Sequence, residues 1–68
     1  MESFTIGYKW YNFKIYFEEN KIEIFDDKYN VIKKVEVVFD SGIEKILKER
    51  NPEMIKFFEN ILREVKLK

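Results

Sequence analysis

Hydrophobic and polar residues alternate along the first forty positions and then switch to a spacing of three and four. Alternation marks a strand with one buried face, and recurrence at i, i+3, i+4 marks an amphipathic helix. Phe4, Ile6 and Tyr8 alternate with Thr5, Gly7 and Lys9, which predicts a first strand. Tyr11, Phe13, Ile15 and Phe17 then oppose Asn12, Lys14, Tyr16 and Glu18. Lys21-Ile22-Glu23-Ile24-Phe25 is a short third strand. A fourth sets Val31, Val35, Val37 and Phe39 on one side, with Lys34 and Glu36 on the other. β-Branched and aromatic residues dominate all four, as a pleated, half-buried surface favours.

The connections set the pairing. Lys9-Trp10 is the expected first turn. A two-residue turn at Glu19-Asn20 would place Phe17 opposite Ile22 and Ile15 opposite Ile24, with Tyr16 meeting Glu23 and Lys14 meeting Phe25 on the other face. A Tyr29-Asn30 turn, with Asn30 supplying positive φ, would set Ile24 against Val35 and Ile22 against Val37, and a bulge could shift this register.

After Phe39 the helical spacing takes over. Ser41-Gly42-Ile43-Glu44 fits a capping box, in which serine and glutamate each satisfy an orphan amide. Ile43, Ile46 and Leu47 form the apolar stripe, and Glu44 precedes Lys48 by four residues. Pro52 disfavours helix at Asn51, so Asn51 is the expected cap of a second helix. That helix places Met54, Phe58, Ile61, Leu62 and Val65 on one face. Glu59 to Arg63 and Glu64 to Lys68 are its expected ion pairs.

The elements assemble into one α+β domain over residues 1–68. A four-stranded antiparallel meander spans 3–39, and helices at about 42–50 and 52–66 cover one face of it, in the order ββββαα. The expected core combines the apolar sheet face, including Phe4, Phe17, Val35, Val37 and Phe39, with the helical stripes. Trp10, Tyr16, Phe25, Ile32 and Val38 are left on the far side of the sheet, and Ile55, Phe57 and Leu67 lie off the last helix's stripe. A chain this small has a marginal core, and monomers rarely leave large apolar patches bare. The excess predicts a second buried surface.

Composition narrows the chemistry. Histidine and cysteine are absent, which removes the commonest general base, disulfides and thiolate zinc sites. Ser41 is accounted for as a cap. Glu18-Glu19 and Asp26-Asp27 read as solvated turn residues, because strand neighbours point oppositely and the spacing of a calcium loop is missing. Two glycines cannot build a phosphate loop. No catalytic residue, metal site or cofactor is expected, and the chain reads as non-enzymatic. No apolar run is long enough for a membrane span, and Glu2 and Lys9 interrupt anything resembling a secretory signal, so a cytoplasmic domain without membrane contact is expected.

The 13 basic and 13 acidic residues cancel. Residues 1–40 hold six basic against eight acidic groups, so no basic patch of the kind that binds phosphate dominates. The expected function is therefore a protein-interaction module, an accessory or inhibitory protein that binds a protein partner or a second copy of itself as a homodimer. Trp10, Tyr16 and Phe25 would anchor the contact, and Lys14, Glu23, Lys34 and Glu36 would form its rim. Single-strand nucleic acid binding is the alternative on the same face, with bases stacked on the aromatics and lysines tracking phosphates.

Overall fold

The computed structural model describes residues 3–66. The expected placement of Leu67 and the pairing of Glu64 with Lys68 fall outside the described residues. Four strands, β1 (Phe4–Tyr8), β2 (Tyr11–Tyr16), β3 (Lys21–Phe25) and β4 (Val31–Glu36), form one antiparallel sheet in chain order. Two helices follow, α1 (Ser41–Lys48) and α2 (Met54–Glu64). The ββββαα order is the one the periodicity predicts.

The Lys9-Trp10 turn pairs Tyr8 with Tyr11. Lys9 has φ 55° and Trp10 does not share the left-handed region, the pattern of a turn whose twist matches the strands it joins. The second hairpin departs from expectation. Its loop is four residues, Phe17 to Asn20, so Ile15 faces Ile22, Phe13 faces Ile24 and Lys14 faces Glu23. Asn20 takes φ 53°, a conformation asparagine tolerates well, whereas a two-residue turn would ask for primed-turn geometry from Glu19-Asn20. The ladder moves by two residues and every side chain keeps its face. Phe17 leaves the ladder, and its ring packs at 6.3 Å from Phe4 and 5.0 Å from Phe39.

The third hairpin is also re-registered, to Ile22 opposite Val35 and Ile24 opposite Lys33. Tyr29, not Asn30, occupies the left-handed region, at φ 63°. A bulge follows, so Phe25 pairs with Val31, and the extra residue, Ile32, reverses the face parity of the start of β4. Val31 therefore shares a face with Phe25 instead of with Val35. Regular pairing ends at Glu36, although the Val37 N–H still reaches the Asn20 carbonyl at 3.0 Å.

Asp40, one residue before the expected Ser41, caps α1. Its carboxylate accepts the Ile43 N–H at 2.8 Å, and Glu44 pairs with Lys48 at 2.7 Å instead of reaching back to the cap. Aspartate supplies the acceptor together with a negative charge at the positive end of the helix. Arg50 then adopts φ 54°, with Arg50 N–H to the Leu47 carbonyl at 3.2 Å and Asn51 N–H to that of Ile46 at 3.0 Å. Those two bonds are a Schellman closure, normally the place of glycine. The Asn51 side chain accepts the Glu53 N–H at 2.9 Å, and a tight turn winds from Asn51 into α2.

Ile6, Phe13, Ile15, Ile22, Ile24, Leu47, Phe58, Ile61 and Leu62 are buried as one cluster. Phe58 is its hub, with ring centroids 4.4 Å from Phe13 and 5.8 Å from Tyr8. Phe57, expected off the stripe, packs against Phe39 and Phe58, so α2 buries a wider face than its spacing suggests. Among the described residues no helix is long and apolar enough to cross a membrane.

Candidate interaction surface on the outer sheet face

Strand pairing fixes which side chains meet on the face opposite the helices. One row across the four strands reads Thr5, Lys14, Glu23, Lys34, and the next reads Gly7, Asn12, Phe25, Val31. A third sets Tyr16 beside Lys21 and Glu36.

Lys14, Tyr16, Glu23 and Lys34 come together as one polar network. The Tyr16 hydroxyl donates to Glu23 at 2.9 Å, and Lys34 Nζ lies 3.7 Å from the other oxygen of that carboxylate. Glu23 keeps only 14% of its side chain exposed. The ammonium groups of Lys14 and Lys21 sit 5.6 Å and 4.8 Å from the Tyr16 ring centre, close enough for cation–π attraction. Tyr16 is thus a half-buried ring with its hydroxyl committed, and its structural role is to hold this charge lattice.

The exposed aromatics gather elsewhere. Successive turns of a meander alternate ends, so the Lys9-Trp10 turn and the Asp26–Asn30 loop share one end of the sheet. Trp10 is 74% exposed there and Tyr29 66%, with Val31 at 52% and Ile32 at 38%. Phe25 is half-buried beneath Tyr29, their rings 6.5 Å apart. Thr5, Asn12, Lys14, Phe25 and Tyr29 line a groove of about 180 Å³.

Two carboxylates position this end. Asp26 accepts the backbone N–H of Asn30 at 2.8 Å and of Lys28 at 2.9 Å, together with the Asn30 side-chain amide at 3.2 Å. The Asn30 N–H is the main reason the Asp26 carboxyl sits below the usual carboxylate range. The loop is thereby closed with Tyr29 at its tip. Glu59 of α2 accepts from Lys9 Nζ at 2.7 Å and from the Tyr8 hydroxyl, which ties the first turn to the helix layer. Lys9 lowers the Glu59 pKa, and Glu59 in turn raises those of Lys9 and Tyr8. Arg63, the expected partner of Glu59, donates instead to Asn60 at 3.1 Å.

Of the seven residues singled out by sequence, four form the network, Phe25 borders it, Glu36 shares a row with Tyr16 and Lys21, and Trp10 stands at the end of the sheet. Sequence reasoning missed Tyr29 and Val31. An aromatic at a turn tip was the available signal for Tyr29, whereas the bulge that re-aims Val31 leaves no mark in the sequence. A larger concavity of about 640 Å³, lined by Ser3, Phe4, Phe17, Glu18, Glu44 and Lys48, opens elsewhere on the domain. Its Glu44 and Lys48 satisfy each other. No group of three metal-ligating side chains occurs among the described residues. Comparison with family models, curated proteins and solved structures gives no match.

Proposed function

We propose that this domain is a non-enzymatic interaction module that binds a protein partner through the aromatic end of its outer sheet face. The observation that carries this reading is the exposure of Trp10 and Tyr29, with Val31 and Ile32, at one end of a small domain. Aromatic side chains of this kind dominate binding energies when a partner desolvates them. The lattice of Lys14, Glu23 and Lys34 beside them supplies a rim of alternating charge that sets orientation. An accessory or inhibitory protein that occludes a partner's surface fits such a patch. Glu23, held at the centre of the lysines, disfavours the phosphate backbone that single-strand binding would require there.

The test immobilises the wild-type chain and the Trp10→Ser and Tyr29→Ser variants and captures proteins from the source lysate. Each variant is first shown to be folded by far-UV circular dichroism. The expected result is a protein retained in stoichiometric amount by the wild type and lost from both variants. Retention by both variants would refute the assignment. So would tight binding of labelled single strands at low salt that Lys14→Ala abolishes.

A further inference from the structure

The two edges of the sheet are unlike. β4 carries Lys33, Lys34 and Glu36 and is interrupted by a bulge, the devices by which proteins prevent edge-to-edge pairing. β1 has none of them. Its sequence, Phe-Thr-Ile-Gly-Tyr, holds no charge and no proline, and all five residues pair regularly with β2.

In a ladder closed by a two-residue turn, the closing pair exchanges hydrogen bonds and the pairs beyond it alternate. Tyr8, Ile6 and Phe4 therefore bond to β2, while the N–H and C=O groups of Thr5 and Gly7 point to the open edge. Both residues are exposed.

The strand is self-complementary about Ile6. Antiparallel pairing with a second copy across a twofold axis sets Ile6 against Ile6, Thr5 against Gly7, and Phe4 against Tyr8. Thr5 and Gly7 are the residues with free backbone groups, so each such pair closes two hydrogen bonds. Side chains keep their faces: Phe4, Ile6 and Tyr8 of both copies line the helix-covered side, and the small Thr5 and Gly7 meet on the other. The same register brings opposite charges together. Arg50 stands 5.0 Å from the Phe4 ring, and Glu59 binds Tyr8, so the Phe4–Tyr8 pairing carries the guanidinium of one copy toward the carboxylate of the other.

We infer that the chain forms a homodimer by antiparallel β1–β1 pairing, giving one continuous eight-stranded sheet. The dimer is built from the backbone groups of β1 and does not call on the Trp10 or Tyr29 rings, so its test is separate from that of the binding reading above.

Sedimentation of the wild type at rising micromolar concentration should reach the dimer mass. Amide hydrogen exchange at Thr5 and Gly7 should slow as the dimer fills, while Ile6 and Tyr8, already bonded to β2, change little. Thr5→Pro removes an edge N–H that the monomer does not use and should return the mass to that of the monomer. Trp10→Ser should stay dimeric, which separates this inference from the fate of the aromatic patch. A wild type that stays monomeric, a folded Thr5→Pro that stays dimeric, or a dimer whose Thr5 and Gly7 amides exchange freely overturns it. Should Thr5→Pro fail to fold, the wild-type exchange pattern alone decides.

Discussion

Replacing Phe58 with alanine should unfold the domain. Phe58 is fully buried and its ring touches those of Phe13, Tyr8 and Phe57, at centroid distances of 4.4, 5.8 and 5.6 Å. It joins the helix layer to the sheet near their middle. Truncating a buried phenylalanine costs about 3–5 kcal/mol, from the lost transfer of the ring and the cavity left behind. A single core in a chain of this size supplies only about 3–5 kcal/mol in total. One side chain therefore accounts for stability of the same order as the whole fold. Phe58→Leu keeps most of the volume and should cost about 1.5 kcal/mol, leaving a folded protein with a lower midpoint. Urea titration followed by far-UV circular dichroism and by the fluorescence of Trp10, the only tryptophan, measures both variants. Dilute samples keep self-association from masking the loss. A cooperative transition for Phe58→Ala within 1 kcal/mol of wild type would refute this, since the helices would then not depend on that ring for their docking.

Further outcomes follow from the caps, the network and the loop. Asp40→Ala should cost about 1 kcal/mol and Ser41→Ala within about 0.5, and thermal unfolding of the pair tells which residue caps α1. Tyr16→Phe should cost about 1 kcal/mol through its lost bond to Glu23, with Trp10 emission unchanged. Asp26 and Glu59 both have folded pKa values depressed below their unfolded ones, so each stabilises the fold fully above the ordinary carboxylate range near about pH 4 and loses that contribution as pH falls through its folded value. Asp26→Asn and Glu59→Gln should each flatten the fall of the melting temperature below about pH 4, and a slope equal to wild type refutes the pairing. Tyr29→Gly should leave stability within about 1 kcal/mol of wild type and abolish partner capture, because relief at its left-handed backbone offsets the lost contact with Phe25.

Element type was legible in this sequence because two signals agree at each place. Alternation ends where turn residues stand, as at Asp26-Asp27 and Asn30, and Pro52 punctuates the helices. Register was less legible, for a geometric reason. A shift of two residues keeps every side chain on its face, so the apolar pattern is equally satisfied by Ile15 facing Ile24 or Ile22. Backbone preference at one loop residue, Asn20, decides between them. Capping had the same ambiguity, since Asp40 and Ser41 are adjacent and both are good acceptors. The charge network was readable, because Lys14, Tyr16, Glu23 and Lys34 share a face in either register. Val31 was not, because its orientation depends on the single extra residue at Ile32. Tyr29 was readable as a turn residue but not as the one in the left-handed region.

The backbone itself bears on what the aromatic end is for. Lys9, Asn20, Tyr29, Arg50 and Lys66 all have positive φ, and no glycine does. A left-handed conformation costs a residue with a full side chain about 1–2 kcal/mol, a cost glycine escapes. In a domain with so little stability to spare, such a residue persists where its side chain returns something. Arg50 returns the contact over Phe4 and Lys9 the bond to Glu59, while asparagine tolerates the geometry best. Tyr29 returns little to the fold, being two-thirds exposed with one tilted neighbour. Asp26 meanwhile commits three hydrogen bonds to closing the loop that presents it. A ring held outward at the expense of local strain supports the proposed binding role of Tyr29, whose gain would come only when a partner covers it.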